Sequence, residues 1–63
     1  MCDFTVYLED NGERKVVARD ILKARKKDGS LILMDAMGNI TKVEAATVDV
    51  VDTLMQEMIL RRA

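Results

Sequence analysis

The chain has 63 residues, ten Lys and Arg against eleven Asp and Glu, a formal charge of −1 at neutral pH, one cysteine and no histidine. A chain this short makes one domain at most, here 1–63, and buries only about 60% of its unfolded surface, so its core needs help, for which self-association is the remaining common remedy. The single cysteine excludes an internal disulfide, the charge balance argues against a surface given over to nucleic acid or anionic lipid, and no apolar run approaches the roughly 20 residues that span a membrane.

The opening residues alternate: Cys2, Phe4, Val6 and Leu8 share one parity, Asp3, Thr5, Tyr7 and Glu9 the other, which is the period of a half-buried strand. Asn11-Gly12 follows, a pair that tolerates the positive φ angles of a two-residue hairpin turn. Arg14 to Arg25 carries β-branched Val16 and Val17, then Ile21, Leu22 and Ala24 among charges, and reads as a strand with a bend near Asp20. Asp28-Gly29 marks a second turn, Ser30 to Asp35 an apolar strand, Ala36 to Asn39 a third turn, and Ile40 to Ala45 a further strand. Turns at this spacing predict an all-β domain, a small antiparallel meander or barrel.

The last third supports two readings. Val51, Leu54, Met55, Met58 and Ile59 fall on a helical stripe, and Thr53 with Gln56 has the spacing of a capping box, which predicts a short C-terminal helix over residues 53–62. Against it, Ala46, Val48 and Val50 alternate with their neighbours, and Met58 and Leu60 suit the core face of a closing strand. Periodicity alone favours the helix.

Chemistry-bearing residues are few. No histidine is present for acid-base work, no Ser-His or Cys-His pair for nucleophilic catalysis and no glycine-rich phosphate loop, so the sequence predicts a protein that is not an enzyme. Cys2 directly follows Met1, and a lone thiol there, with main-chain nitrogens in one short arc, can chelate a soft or borderline metal. The competing reading makes Cys2 a small apolar side chain on the core face of the first strand. Asp3, on the opposite parity, reads as a solvated acid. The run Lys23, Arg25, Lys26, Lys27 is the one candidate nucleic-acid patch, with Arg14, Lys15, Arg61 and Arg62 as neighbours that a barrel would bring to it. A solvated turn is the better account of it, because the only aromatics are Phe4 and Tyr7, Phe4 is on the core parity, and base stacking needs exposed rings. Five methionines, at 1, 34, 37, 55 and 58, raise thioether ligation of Cu(I), but Met34, Met55 and Met58 are better read as adaptable fillers of core or interface. Acids at Asp3, Glu9, Asp10 and Glu13, with no apolar stretch beside them, predict no signal peptide and a cytoplasmic chain with a reduced thiol.

Met-Cys-acidic at the start, the VYL that follows, the Asn-Gly turn, the stretch RDILKARKKDGSLILMDAMGN and a late Val-Asp-Val run together resemble the CooT family of very small nickel-binding proteins, associated with maturation of carbon monoxide dehydrogenase. The resemblance spans essentially the whole chain. It implies an SH3-like or Sm-like barrel that forms a homodimer, with Cys2 of each subunit brought together around one Ni(II), and it implies strands at Thr47–Thr53 and Gln56–Arg62 in place of the helix. The connection between them, DTLMQE, holds neither Asn nor Gly. A nickel enzyme is the implied client. The family has also carried the description of RNA-binding proteins, for which the Lys23–Lys27 loop is the alternative site.

Four-coordinate Ni(II) with nitrogen and thiolate donors favours a square plane. The Met1 amine, the Cys2 amide nitrogen and the Cys2 sulfur close two fused five-membered rings; with Met1 removed, the Cys2 amine and sulfur still close one. A second chain's Cys2 thiolate completes the plane, one metal per dimer. Nucleic acid is the less favoured partner, and no membrane is expected.

Overall fold

A computed structural model describes residues 3–63. Met1 and Cys2 therefore lie outside the described residues. Six strands follow one another: β1 Phe4–Asp10, β2 Glu13–Lys27, β3 Ser30–Asp35, β4 Ile40–Glu44, β5 Ala46–Asp52 and β6 Glu57–Arg62. They form one sheet in the order β4-β3-β2-β1-β6-β5. Every neighbouring pair is antiparallel except β1 with β6, which run parallel from Thr5 opposite Glu57 to Glu9 opposite Arg61.

The two-residue turns explain the hairpins. Asn11 and Gly12 take φ 54° and 78°, and Asp28 and Gly29 take 51° and 80°, so both central residues of each turn are left-handed, as the twist of the flanking strands requires. A β-carbon at Gly12 or Gly29 would meet no atom within 4 Å, so the backbone angle alone selects glycine there. β2 then serves two neighbours: Glu13 to Ile21 pairs with β1, and Ile21 to Lys27 pairs with β3. The expected bend near Asp20 is present, with Asp20 at φ 57° and a shift of register between Ile21 and Lys23.

The sheet curls because its chain order forces it to. β4 and β5 are opposite edges, yet only Ala45, at φ 52°, separates them in sequence. The edges must meet at that corner, which the Ala63 amide closes by donating to the Ala45 carbonyl at 2.6 Å while Arg62 Nη1 donates to the Glu44 carbonyl at 2.6 Å. The result is a half-barrel consistent with the SH3-like expectation. Its concave side holds the core: Val6 and Leu8 of β1, Ile21 of β2, Leu31 and Leu33 of β3, Val43 of β4, Ala46 of β5 and Leu60 of β6, with Val17, Ala18 and Met58 packed against them. Each large side chain in that set contributes about 1.5–3 kcal/mol by leaving water.

The helix over 53–62 does not form. β6 runs from Glu57 to Arg62 between β1 and β5, so both sides of its backbone are hydrogen-bonded, and Leu60, fully buried, outweighs the helical stripe. The stripe residues Leu54 and Met55 stay in solvent. Thr53 makes no capping box; instead Asp52 Oδ1 accepts from the amides of Leu54 (3.0 Å) and Met55 (2.9 Å), and Gln56 takes φ 57° to re-enter the sheet. A connection without Asn or Gly closes because the aspartate ahead of it supplies the acceptor.

Candidate functional site

The predicted ligands Met1 and Cys2 precede the described residues, and the structure defines the frame to which they are joined. β1 starts at Phe4, whose Cα faces Ile21, which in turn faces Asp35 at the end of β3. One residue on, the Thr5 amide donates to the Gln56 carbonyl at 3.0 Å. The beginning of β1 is thus flanked by two turns, the β3–β4 turn about two strand spacings (~10 Å) away and the β5–β6 turn beside it.

Those turns share a construction. Asp35 Oδ1 accepts from the Met37 and Asn39 amides, each at 2.9 Å, and its Oδ2 accepts from Asn39 Nδ2 at 3.0 Å. The Asn39 side chain and then the Asn39 amide hold the Asp35 carboxyl below the usual carboxylate range against an opposing effect of desolvation, with the Met37 and Gly38 amides adding less. Both turns end in exposed apolar tips: Met37 is 87% exposed, Leu54 89% and Met55 64%. Beyond the second tip, edge strand β5 exposes Val51 and Val48 on the face they share with Met58 and Leu60, and Val50 on the opposite face beside Ile59.

Asp3, expected in solvent, is half-buried, and its Oδ1 is enclosed without a hydrogen-bond partner among the described residues. Burying a carboxylate oxygen with nothing to accept from is costly unless something cationic or protic comes to it. Among the described residues no group of three or more His, Cys, Asp or Glu side chains stands close enough to hold a metal ion. Of the methionines, Met58 packs against the core, Met34 is half-buried, and Met37 and Met55 are exposed.

The basic residues divide differently from the sequence expectation. Arg14 is engaged by Glu9, Arg61 by Asp49 (3.4 Å) and Arg62 by Asp10 (3.5 Å), all around the Asn11 turn and the ends of β5 and β6. The Arg14 hydrogen bond lowers the Glu9 carboxyl, and Glu9 in turn raises Arg14. These arginines do not join the Lys23–Lys27 run. Lys42 does: β2–β3–β4 register places Arg25, Ile32 and Lys42 in one cross-strand row and Lys23, Met34 and Ile40 in the next. Sequence reading missed Lys42, although the Asp28-Gly29 turn fixes Arg25 opposite Ile32, and parity from the next turn completes the row.

The curled six-stranded sheet, open at β4 and β5, defines a small SH3-like β domain. Over residues 1–61 the chain matches the family described as "CO dehydrogenase accessory protein CooT", and it belongs to that family. No curated protein matches the chain. No helix among the described residues is long and apolar enough to cross a membrane.

Proposed function

We propose that the protein binds Ni(II) as cargo, storing it or delivering it to a CO dehydrogenase, and that two copies hold one ion through Cys2. The observation that carries this reading is the lone thiol at position 2, beside Met1, in a chain matched to an accessory family from its first residue to residue 61. Two residues of chain span at most about 7 Å, so the thiol is tethered to the end of the sheet where β1 begins. There the exposed Leu54 and Met55 offer apolar surface for a second copy, and a marginal core gives reason to bury it. The Asp3 oxygen supplies a further acceptor one residue away, suited to a cation or to an amine.

The donor set fits nickel. Thiolate, amide nitrogen and the Met1 amine, where that amine is free, favour a planar d⁸ ion, whereas zinc prefers a tetrahedron. The thiol, the Met1 ammonium and the Cys2 amide each release a proton to solvent on ligating, and an ordinary thiol near pKa ~8.5 is mostly protonated at neutral pH, so affinity rises with pH, and continues to rise beyond thiol ionisation where the amide nitrogen is a donor. The protein acts in the cytoplasm, by carrying rather than by catalysis.

Titration of Ni(II) into untagged protein, followed by thiolate-to-nickel absorption, tests the assignment. The wild type develops the band and Cys2→Ser abolishes it; equal binding by both would reject Cys2 as the ligand. A segment fused ahead of Met1 removes the amine donor and weakens binding.

A further inference from the structure

The convex side of the β2–β3–β4 hairpin is not accounted for by nickel binding. Leu31, Leu33 and Val43 point into the core, so the residues of opposite parity, Lys23, Arg25 and Lys27 on β2, Ile32 and Met34 on β3, and Ile40 and Lys42 on β4, face outward. Lys26, of the inward parity but at the exposed hairpin end, joins Arg25, Lys27 and Ile32 in lining a depression of about 370 Å³. Among the described residues, none of Lys23, Arg25, Lys26, Lys27 and Lys42 lies within ion-pair distance of a carboxylate, although Asp28 is in the adjoining turn and Glu44 faces Ser30 in the last row. Half of the ten cations of a chain with net charge −1 therefore sit on one hairpin, and the remainder of the molecule is net acidic.

Between these cations the surface is aliphatic. Ile40 is 56% exposed, and Ile32 and Met34 are half-buried. Charged side chains left without partners around an apolar centre have the anatomy of a protein interface, with a polar rim that steers and a desolvated middle that holds. Nucleic acid fits less well, because both aromatic residues are on β1 and this face presents no aromatic ring to stack on a base. We propose that this face docks the protein onto its client, and that the client presents an acidic segment carrying an apolar side chain. The proposal rests on the delivery reading above and places the contact across the convex side of β2, β3 and β4, from the Lys27 row beside the Asp28 turn to the Lys23–Met34–Ile40 row, which neighbours the Ile21–Asp35 pair that Phe4 faces.

The test measures binding of the full chain to purified, nickel-free CO dehydrogenase at low and high salt, with Ni(II) uptake recorded for every variant. Reversal of two facing cations, Arg25→Glu with Lys42→Glu, is expected to weaken docking about ten-fold or more and to flatten its salt dependence. An equal charge change elsewhere, Lys15→Glu with Arg19→Glu, leaves docking within about two-fold. Ile40→Ser weakens docking without changing the salt slope. All of these side chains are exposed, and circular dichroism verifies that the variants fold.

Equal losses from the two reversed pairs would mean that net charge alone is read, and would overturn the proposal. So would wild-type protein that takes up nickel but does not bind the enzyme, an outcome that leaves the nickel reading standing. Conversely, docking lost in Arg25→Glu/Lys42→Glu together with nickel uptake retained in Cys2→Ser would sink the nickel site and keep the docking face. Tighter binding to a uridine 20-mer or to phosphatidylserine vesicles than to the enzyme, lost with the same pair, would hand the face to RNA or to membrane instead.

Discussion

The two ends of the sheet differ in how their side chains are used. At the end where β1 begins, two turns hold up the exposed apolar side chains of Met37, Leu54 and Met55, and the Asp35 and Asp52 carboxylates that anchor them are spent on turn amides and, at Asp35, on the Asn39 side chain. Toward the Asp28 turn, Arg25, Lys26, Lys27 and Lys42 are exposed beside Ile32 and make no ion pair among the described residues. The contrast sets the end proposed to pair copies and hold cargo against the end proposed to recognise an acidic client.

The largest effect that sharpens this contrast is on assembly. Leu54→Ser with Met55→Ser removes exposed apolar area that the monomer does not use, so dimer dissociation, measured by analytical ultracentrifugation, rises about ten-fold or more while the dilute monomer melts unchanged. An unaltered dimer constant would move the contact elsewhere. Asp52→Ala comes next: it strips the acceptor from two turn amides and lowers monomer stability by about 1 kcal/mol in urea melts, with the tips splayed and dimerisation weakened as a consequence. Gln56→Gly has the opposite sign, a gain of up to about 1 kcal/mol, because a residue with a β-carbon is strained at φ 57°.

The smallest effect is one of pH. Asp35 has its folded-state pKa lowered, first by the Asn39 side chain, so its contribution is fully present above the ordinary carboxylate range and is lost as pH falls through the lowered value. Asp35→Asn should flatten the acid limb of stability measured between about pH 5 and pH 2. An acid limb identical to the wild type's would show that the β3–β4 turn is not held by this carboxylate.

Much of the fold is legible because local rules decide it. The alternation of Phe4, Val6 and Leu8, the two X-Gly turns and the bounds of β3 follow from period and turn chemistry, and the structure matches them. The C-terminal third is not legible in that way. Leu54 and Met55 complete a helical stripe only if they are buried, and burial is set by β6 inserting between β1 and β5, a pairing across some fifty residues that no local window contains. The parallel β1–β6 pair and the left-handed Ala45 corner are likewise consequences of closure. At the candidate site, Cys2 stands out by composition, whereas the apolar apron beside β1 and the place of Lys42 next to Arg25 required the register.

The central claim is that one nickel joins two chains through Cys2, and native mass spectrometry of untagged, nickel-loaded protein addresses it most directly. The account predicts a dimer carrying a single Ni(II), which Cys2→Ser reduces to metal-free species. Nickel bound one to a monomer, or retained by Cys2→Ser, would contradict it.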